Sequence, residues 1–160
     1  MNEKPFEKAI AALQADIELQ RETEFARKLL RKQIGKKTEC VWTGKAISLE
    51  NEAHMDHMLP FSYWQNNDLW NLLPADPKIN LKKRDRVPTC ATLQSRKNAI
   101  TEIWSFYQKE NPGLFQFQME RALSMGTPSL NWKQWAFDGL CFLAERGIST
   151  YGLEPFSLDG

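Results

Sequence analysis

Asp56 and His57 stand side by side in the stretch MDHMLPFSYWQNNDLWNLLPADPKIN, with Asn71 fourteen residues after the histidine and Asn80 nine beyond that. Breaking a phosphodiester needs a base to take a proton from water and a divalent ion to offset charge on the phosphate and the leaving oxygen. Histidine is the side chain whose ordinary pKa best suits the first task at neutral pH. The carboxylate of Asp56 and the amide carbonyl of Asn80 are hard oxygen donors of the kind Mg²⁺ takes, with water and substrate phosphate filling its other positions. The residue types therefore point to a Mg²⁺ site, with Mn²⁺ able to substitute. A lone Asp-His pair carries little information, since an isolated histidine is more often a hydrogen-bonded structural residue, so the weight rests on the elements around it.

Those elements are legible in outline. From Pro5 to Ile34 the apolar residues Phe6, Ile10, Leu13 and Ile17, then Phe25, Leu29, Leu30 and Ile34, recur at helical spacing, which predicts one long helix or two in series, stopped at Gly35. The text CVWTGKAISLENEAHMDHMLP suits two short strands about a Thr43-Gly44-Lys45 turn, the second strand carrying Asp56 and His57 and ending at Pro60. Phe61 to Leu69 is expected as an irregular loop. Pro77, with Asp76 before it, signals the start of a short helix from Pro77 to Arg86, closed before Pro88 and carrying Asn80. Further helices are expected around Ile100, Ile103, Trp104 and Tyr107, from Phe115 to Met125 and from Trp132 to Arg146. Neighbouring residues on a regular strand point to opposite faces, so Asp56 and His57 share one site only at a strand end or a bend near Met58 to Pro60.

Asp56-His57, Asn71 and Asn80 followed by Lys83 together resemble the HNH motif of the ββα-metal endonucleases, and the spacing is particularly similar to the HNH nuclease domain of RNA-guided CRISPR effectors and to bacterial restriction and defence nucleases. Cys40-Val41-Trp42-Thr43-Gly44-Lys45 looks like that family's opening hairpin, where a cysteine pair often binds structural zinc. Thr43 stands here in place of the second cysteine and no downstream pair follows, so zinc is not expected. The resemblance runs from about Cys40 to Pro88, roughly a third of the chain. It implies His57 as the general base, Asp56 and Asn80 as metal ligands, and Asn71 as the residue holding the loop that bears the histidine. Lys83 would approach the scissile phosphate or its neighbour. The fold class implied is α+β, a mainly helical chain with an embedded ββα-metal core. The expected division is a helical segment over 1–35, the nuclease core over 36–90 and a helical segment packing on it over 91–160. The implied activity is metal-dependent hydrolysis of DNA, as nicking or, in a dimer, double-strand cleavage, within a restriction or anti-phage system. A catalytically silent nucleic-acid-binding module and a nuclease directed at RNA are the competing readings.

The whole chain sets the bounds. Its 160 residues, 42% hydrophobic and 26% charged, are enough for one domain with a real core. A net charge of +1 hides two basic runs, Arg21 to Lys37 and Asp76 to Lys97. The second abuts the candidate site, and its Lys82, Arg84 and Arg86 are expected to touch phosphates without reading sequence. Cys40, Cys90 and Cys141 are odd in number and form no CxxC pair, which fits a reducing cytoplasm. No signal peptide opens the sequence and no run is long enough for a membrane span, so no membrane partner is expected. Other domains or subunits of a larger protein are plausible partners, because a bare ββα element buries little core, and Met1 could be an added start on an excised domain. His54, on the strand face of Asp56, could approach the metal or a phosphate or lie idle at the surface. Trp64 and Trp70 could stack on bases or pack under the loop before Asn71.

Overall fold

The computed structural model describes residues 5–123 and 131–159. The chain opens with a single helix, α1 (Pro5–Ile34), with Glu7 in its first turn and Arg31 and Lys32 in its last, each on the side its dipole favours. Gly35 ends it at φ 75°, a left-handed conformation open to glycine at little cost. Ala26, Leu29 and Leu30, in the C-terminal part of α1, join the core, while Ile10 and Leu13 remain exposed. The side chains of Phe6 and Ile17 lie outside the described residues, as do Met1 and Met125.

Three strands, rather than two, occupy the segment before Pro60. The hairpin of β1 (Lys37–Glu39) and β2 (Ala46–Ser48) encloses the Thr43-Gly44-Lys45 turn, with Thr38 opposite Ile47. Its tip is closed locally, where Gly44 N donates to Cys40 O at 2.8 Å, and tied from afar by Arg96 Nε, which donates to Val41 O at 2.6 Å. The third strand, β3 (His54–His57), carries Asp56 and His57 but does not pair with this hairpin. Beyond it come a one-turn helix, α2 (Phe61–Trp64), a 3-10 turn at Leu69–Asn71 and then β4 (Leu72–Ala75), which is the antiparallel partner of β3. Asp56 sits opposite Leu73 and His57 opposite Leu72. The Leu72 to Ala75 run is buried throughout and short, and it contains Pro74, so neither period nor composition marked it as a strand. The expected irregular loop from Phe61 to Leu69 thus holds one full helical turn, and the 3-10 turn begins at its last residue.

The helix α3 (Pro77–Lys83) starts as the sequence predicts: Pro77 occupies its first turn and Asp76 Oδ1 accepts from Lys78 N at 2.8 Å. It ends at Lys83, before the expected Arg86, because Arg84 adopts φ 50° and turns the chain out of the helix. After β5 (Val87–Pro88) follow α4 (Cys90–Ser95), α5 (Lys97–Glu110), α6 (Pro112–Leu123) and α7 (Trp132–Tyr151), and the chain returns as β6 (Pro155–Phe156), parallel to β5. The fold is therefore mainly helical, with three small two-stranded sheets among the described residues.

The later helices clamp the segment that bears the site. Trp104 Nε1 on α5 donates to Trp70 O at 2.9 Å, and Tyr107 OH donates to Leu72 O at 2.7 Å. From α6, Arg121 donates to both oxygens of Asp68 at 2.9 and 3.0 Å, and Gln118 Oε1 accepts from Leu69 N at 2.9 Å. Trp42, Trp70, Trp104, Tyr107, Phe115, Phe137 and Phe156 are all fully buried in one continuous hydrophobic core. Their large apolar area is the main force holding the strands beneath the helices.

Candidate active site

His54, Asp56, His57 and Asn80 line one cavity of about 330 Å³, together with Phe61, Leu81 and Arg84. The strand-face limit on Asp56 and His57 is lifted because β3 ends at His57 and the chain bends through Met58 and Leu59. The bend is held by Asn71, whose side chain is fully buried. Its Oδ1 accepts from Leu59 N at 2.8 Å, and its Nδ2 donates to Leu59 O at 3.0 Å and to Asn66 O at 3.1 Å. Met58 N donates to Asn71 O at 2.9 Å. One amide thus satisfies backbone groups on both sides of the loop that follows His57.

Asp56 is only 5% exposed, and both of its oxygens are engaged. Oδ2 accepts from Trp42 Nε1 at 2.7 Å, and Oδ1 faces Lys83 Nζ at 3.3 Å. Lys83 is itself fully buried, and its ammonium also donates to His57 O at 2.7 Å and lies 5.9 Å from the Trp42 ring. A phosphate contact would require this ammonium to leave both acceptors. In the arrangement seen, Lys83 fixes Asp56 and the backbone of His57 relative to each other.

His57 is half-buried, with Nε2 at 2.8 Å from Asn67 Oδ1 and its ring 5.4 Å from Phe61. With Asn67 accepting, the proton sits on Nε2 and Nδ1 keeps a lone pair. Burial lowers the imidazole pKa; the Asn67 hydrogen bond and the Asp56 charge oppose that shift, and Lys83 adds to it. A neutral imidazole is the form that accepts a proton.

The other side of the cavity is built on α3. Asn80 Nδ2 lies 3.2 Å from His54 Nδ1, so His54 is in contact with the site rather than idle at the surface. Lys82 and Arg84 are exposed. Arg86 is half-buried, stacks 5.5 Å over Phe156 and donates to the carbonyls of Lys82 and Lys83, which caps the C-terminal end of α3. Trp70 is buried and donates to Asp68 Oδ2 at 3.1 Å, whereas Trp64 is half-buried.

A hard divalent cation fits the donor types present. Asp56 offers a carboxylate whose oxygens each have a second lone pair, and Asn80 an amide carbonyl. Among the described residues no group of three His, Cys, Asp or Glu side chains could hold a metal on its own. Such a sparse protein set suits an ion that keeps water and substrate phosphate as its remaining ligands.

Two contributors escape a reading of the sequence. Trp42 lies in the hairpin with no signal that its indole N–H meets Asp56, and Asn67 is one of several polar residues in a loop. Only proximity in the fold singles them out.

Residues 40–89 match the family model described as HNH endonuclease, a stretch that runs from the hairpin tip through β3, β4 and α3 to β5. The resemblance to HNH endonucleases is thereby shown for the part of the chain that holds His54, Asp56, His57 and Asn80. HNH nucleases use divalent metal ions and act on nucleic acid. No curated protein and no solved structure matches the chain.

Proposed function

We propose that this protein is a Mg²⁺-dependent endonuclease that hydrolyses phosphodiester bonds in DNA, with Mn²⁺ able to replace Mg²⁺. The observation that carries the reading is the meeting of Asp56, His57 and Asn80 around one cavity beside the basic α3. His57 Nδ1 takes a proton from the attacking water as the water oxygen bonds to phosphorus and the bond to the leaving oxygen breaks; that oxygen then takes a proton from solvent. Asp56 and Asn80 would hold Mg²⁺, which supplies Lewis-acid stabilisation of charge on the phosphate and the leaving oxygen. Asn67 keeps the imidazole in the tautomer that can act as base, and Asn71 keeps the bend that brings Asp56 and His57 to one cavity. Lys83 acts through Asp56 and His57 as a positioning residue. Lys82 and Arg84 are exposed beside the cavity, where phosphates of a bound strand would lie.

The 36–90 segment serves as the cutting module, with 1–35 and 91–160 as helical supports. A single site of this kind nicks one strand, and cleavage of both needs a dimer or two events. The setting in bacterial restriction or anti-phage defence rests on the family resemblance. Cytoplasmic residence is supported by the three free cysteines, Cys40, Cys90 and Cys141. No helix among the described residues is long and apolar enough to cross a membrane. Ile10 and Leu13 on α1 are exposed, where another domain or subunit would pack.

Incubation of the full chain with supercoiled plasmid and with RNA, in Mg²⁺ or EDTA, tests the reading. Metal-dependent nicking is expected, with His57→Ala lowering the rate by about 10²-fold or more while the circular dichroism spectrum is unchanged. Intact DNA binding with equal inertness of wild type and variant would favour a silent binding module, and cleavage of RNA alone would redirect the substrate.

A further inference from the structure

A second cavity, of about 540 Å³, lies on the far side of α2 and is lined by Tyr63, Trp64, Leu143, Arg146, Tyr151 and Leu153. Its composition differs from everything near the candidate site: three aromatic rings, two leucines and one guanidinium. Tyr63 and Tyr151 are 56% and 61% exposed, whereas Trp42, Trp70, Trp104 and Tyr107 are fully buried. The two tyrosines are therefore not spent on the core. Trp64 forms the floor by lying directly against Gly147 of α7, where an added Cβ would meet the ring at 2.7 Å. The glycine thus permits the indole to approach the helix closely. Gly152, at φ 67°, ends α7 and turns the chain so that Leu153 can join the wall. Arg146 lies 5.7 Å over the Tyr151 ring.

Position gives this cavity its meaning. Phe61 lines the His57 cavity, while Tyr63, two residues on in the same helical turn, lines both the aromatic cavity and a groove formed by Lys78, Lys82, Arg84 and Arg86 with Asp85 and Glu154. Phe61 and Tyr63 lie on opposite sides of α2, so the catalytic and aromatic cavities flank a helix about 10–12 Å across. Leu81, Arg84 and Asp85 line both the groove and the catalytic cavity, which makes the surface continuous from His57 to Tyr151.

We propose that the aromatic cavity takes an unpaired nucleobase of the DNA strand whose backbone lies in the basic groove, which makes DNA with an extrahelical or single-stranded nucleotide beside the cut the favoured substrate. This rests on the nuclease reading and narrows its substrate class. Aromatic side chains stack on any exposed base face and tolerate sequence, whereas the faces of a paired base are covered by its neighbours in the duplex. Lys78, Lys82 and Arg84 of the groove match the phosphate backbone, and Arg146 adds a planar cation to the cavity wall.

The full-length His57→Ala protein in EDTA, titrated by fluorescence anisotropy, separates binding from cutting. Three labelled duplexes are compared: fully paired, with one bulged adenosine, and with an abasic residue at the bulge. The bulged base should bind on the order of tenfold more tightly than the abasic bulge, as stacking of a single base predicts. A Tyr63→Ala, Tyr151→Ala double variant should bring the two to equality, Tyr151→Phe should retain the preference, and Arg84→Ala should weaken all three duplexes alike. Both tyrosines are exposed, so an unchanged circular dichroism spectrum is expected for the variants. Equal binding of base and abasic bulges, or a preference that survives the double variant, overturns the proposal. If wild type nicks plasmid yet shows no such preference, this inference alone fails; if nothing is bound or cut, the nuclease reading fails with it.

Discussion

The two sides of the candidate cavity are built on opposite principles. On the Asp56 side the polar groups are tied, and the carboxylate and its partners are buried: Trp42 and Lys83 hold the carboxylate, Lys83 also holds His57 O, and Asn71 holds the bend behind it. On the α3 side Asn80 meets only His54 among these residues, and Lys82 and Arg84 project outward. A charge kept out of water must have its partners in place before substrate arrives, since leaving it unpaired costs several kcal/mol. A side chain that meets solvent loses little by waiting for a ligand. The first side is therefore preorganised by the core, and the second is open to solvent.

That contrast is most severely tested at Lys83. Lys83→Met leaves Asp56 buried without its cation and should lower stability by roughly 3–5 kcal/mol, measured by urea denaturation. If Lys83 instead serves mainly as a phosphate contact, stability will hardly change and only DNA binding will suffer. Asn71→Ala comes next. It strands backbone groups of Leu59 and Asn66, for an expected loss of about 2–3 kcal/mol in the same assay, and nicking should fall because the bend loosens. Asn80→Ala should be the mildest for the fold, within about 0.5 kcal/mol of wild type. Its effect should fall on the ion: Mn²⁺ binding followed by electron paramagnetic resonance should weaken by about tenfold or more. A large stability loss at Asn80, or unchanged Mn²⁺ binding, would erase the distinction between the two sides.

Much of the site could be read from the chain, and the reason is local. Asp76 before Pro77 announces α3, and Pro60 and the run of polar residues after it announce a break, because caps and prolines act on dihedrals within a few residues. Residue type singles out Asp56, His57 and Asn80, and the family resemblance adds Asn71 and Lys83; the fold brings the first three to one cavity. The pairing of β3 with β4 was not, since a buried four-residue run containing proline has no period to betray it. The end of α3 was misjudged for a related reason: Arg84 at positive φ is not announced by its residue type.

Lys83 shows where sequence stops. Lysine after Asn80 on a basic helix invites a phosphate, and nothing in its neighbours along the chain says that its ammonium will be sealed under Trp42 and Asp56. The same holds for Asn67 on His57, and for β6 beside β5, where Val87 N donates to Glu154 O at 2.9 Å. The sequence by itself determined which groups with catalytic chemistry exist, their order, and the short elements that carry them, because propensity, capping and charge act between near neighbours. The tertiary structure alone decided which of those groups are buried and which meet solvent, since burial and hydrogen-bond partners are chosen by packing between segments far apart in the chain.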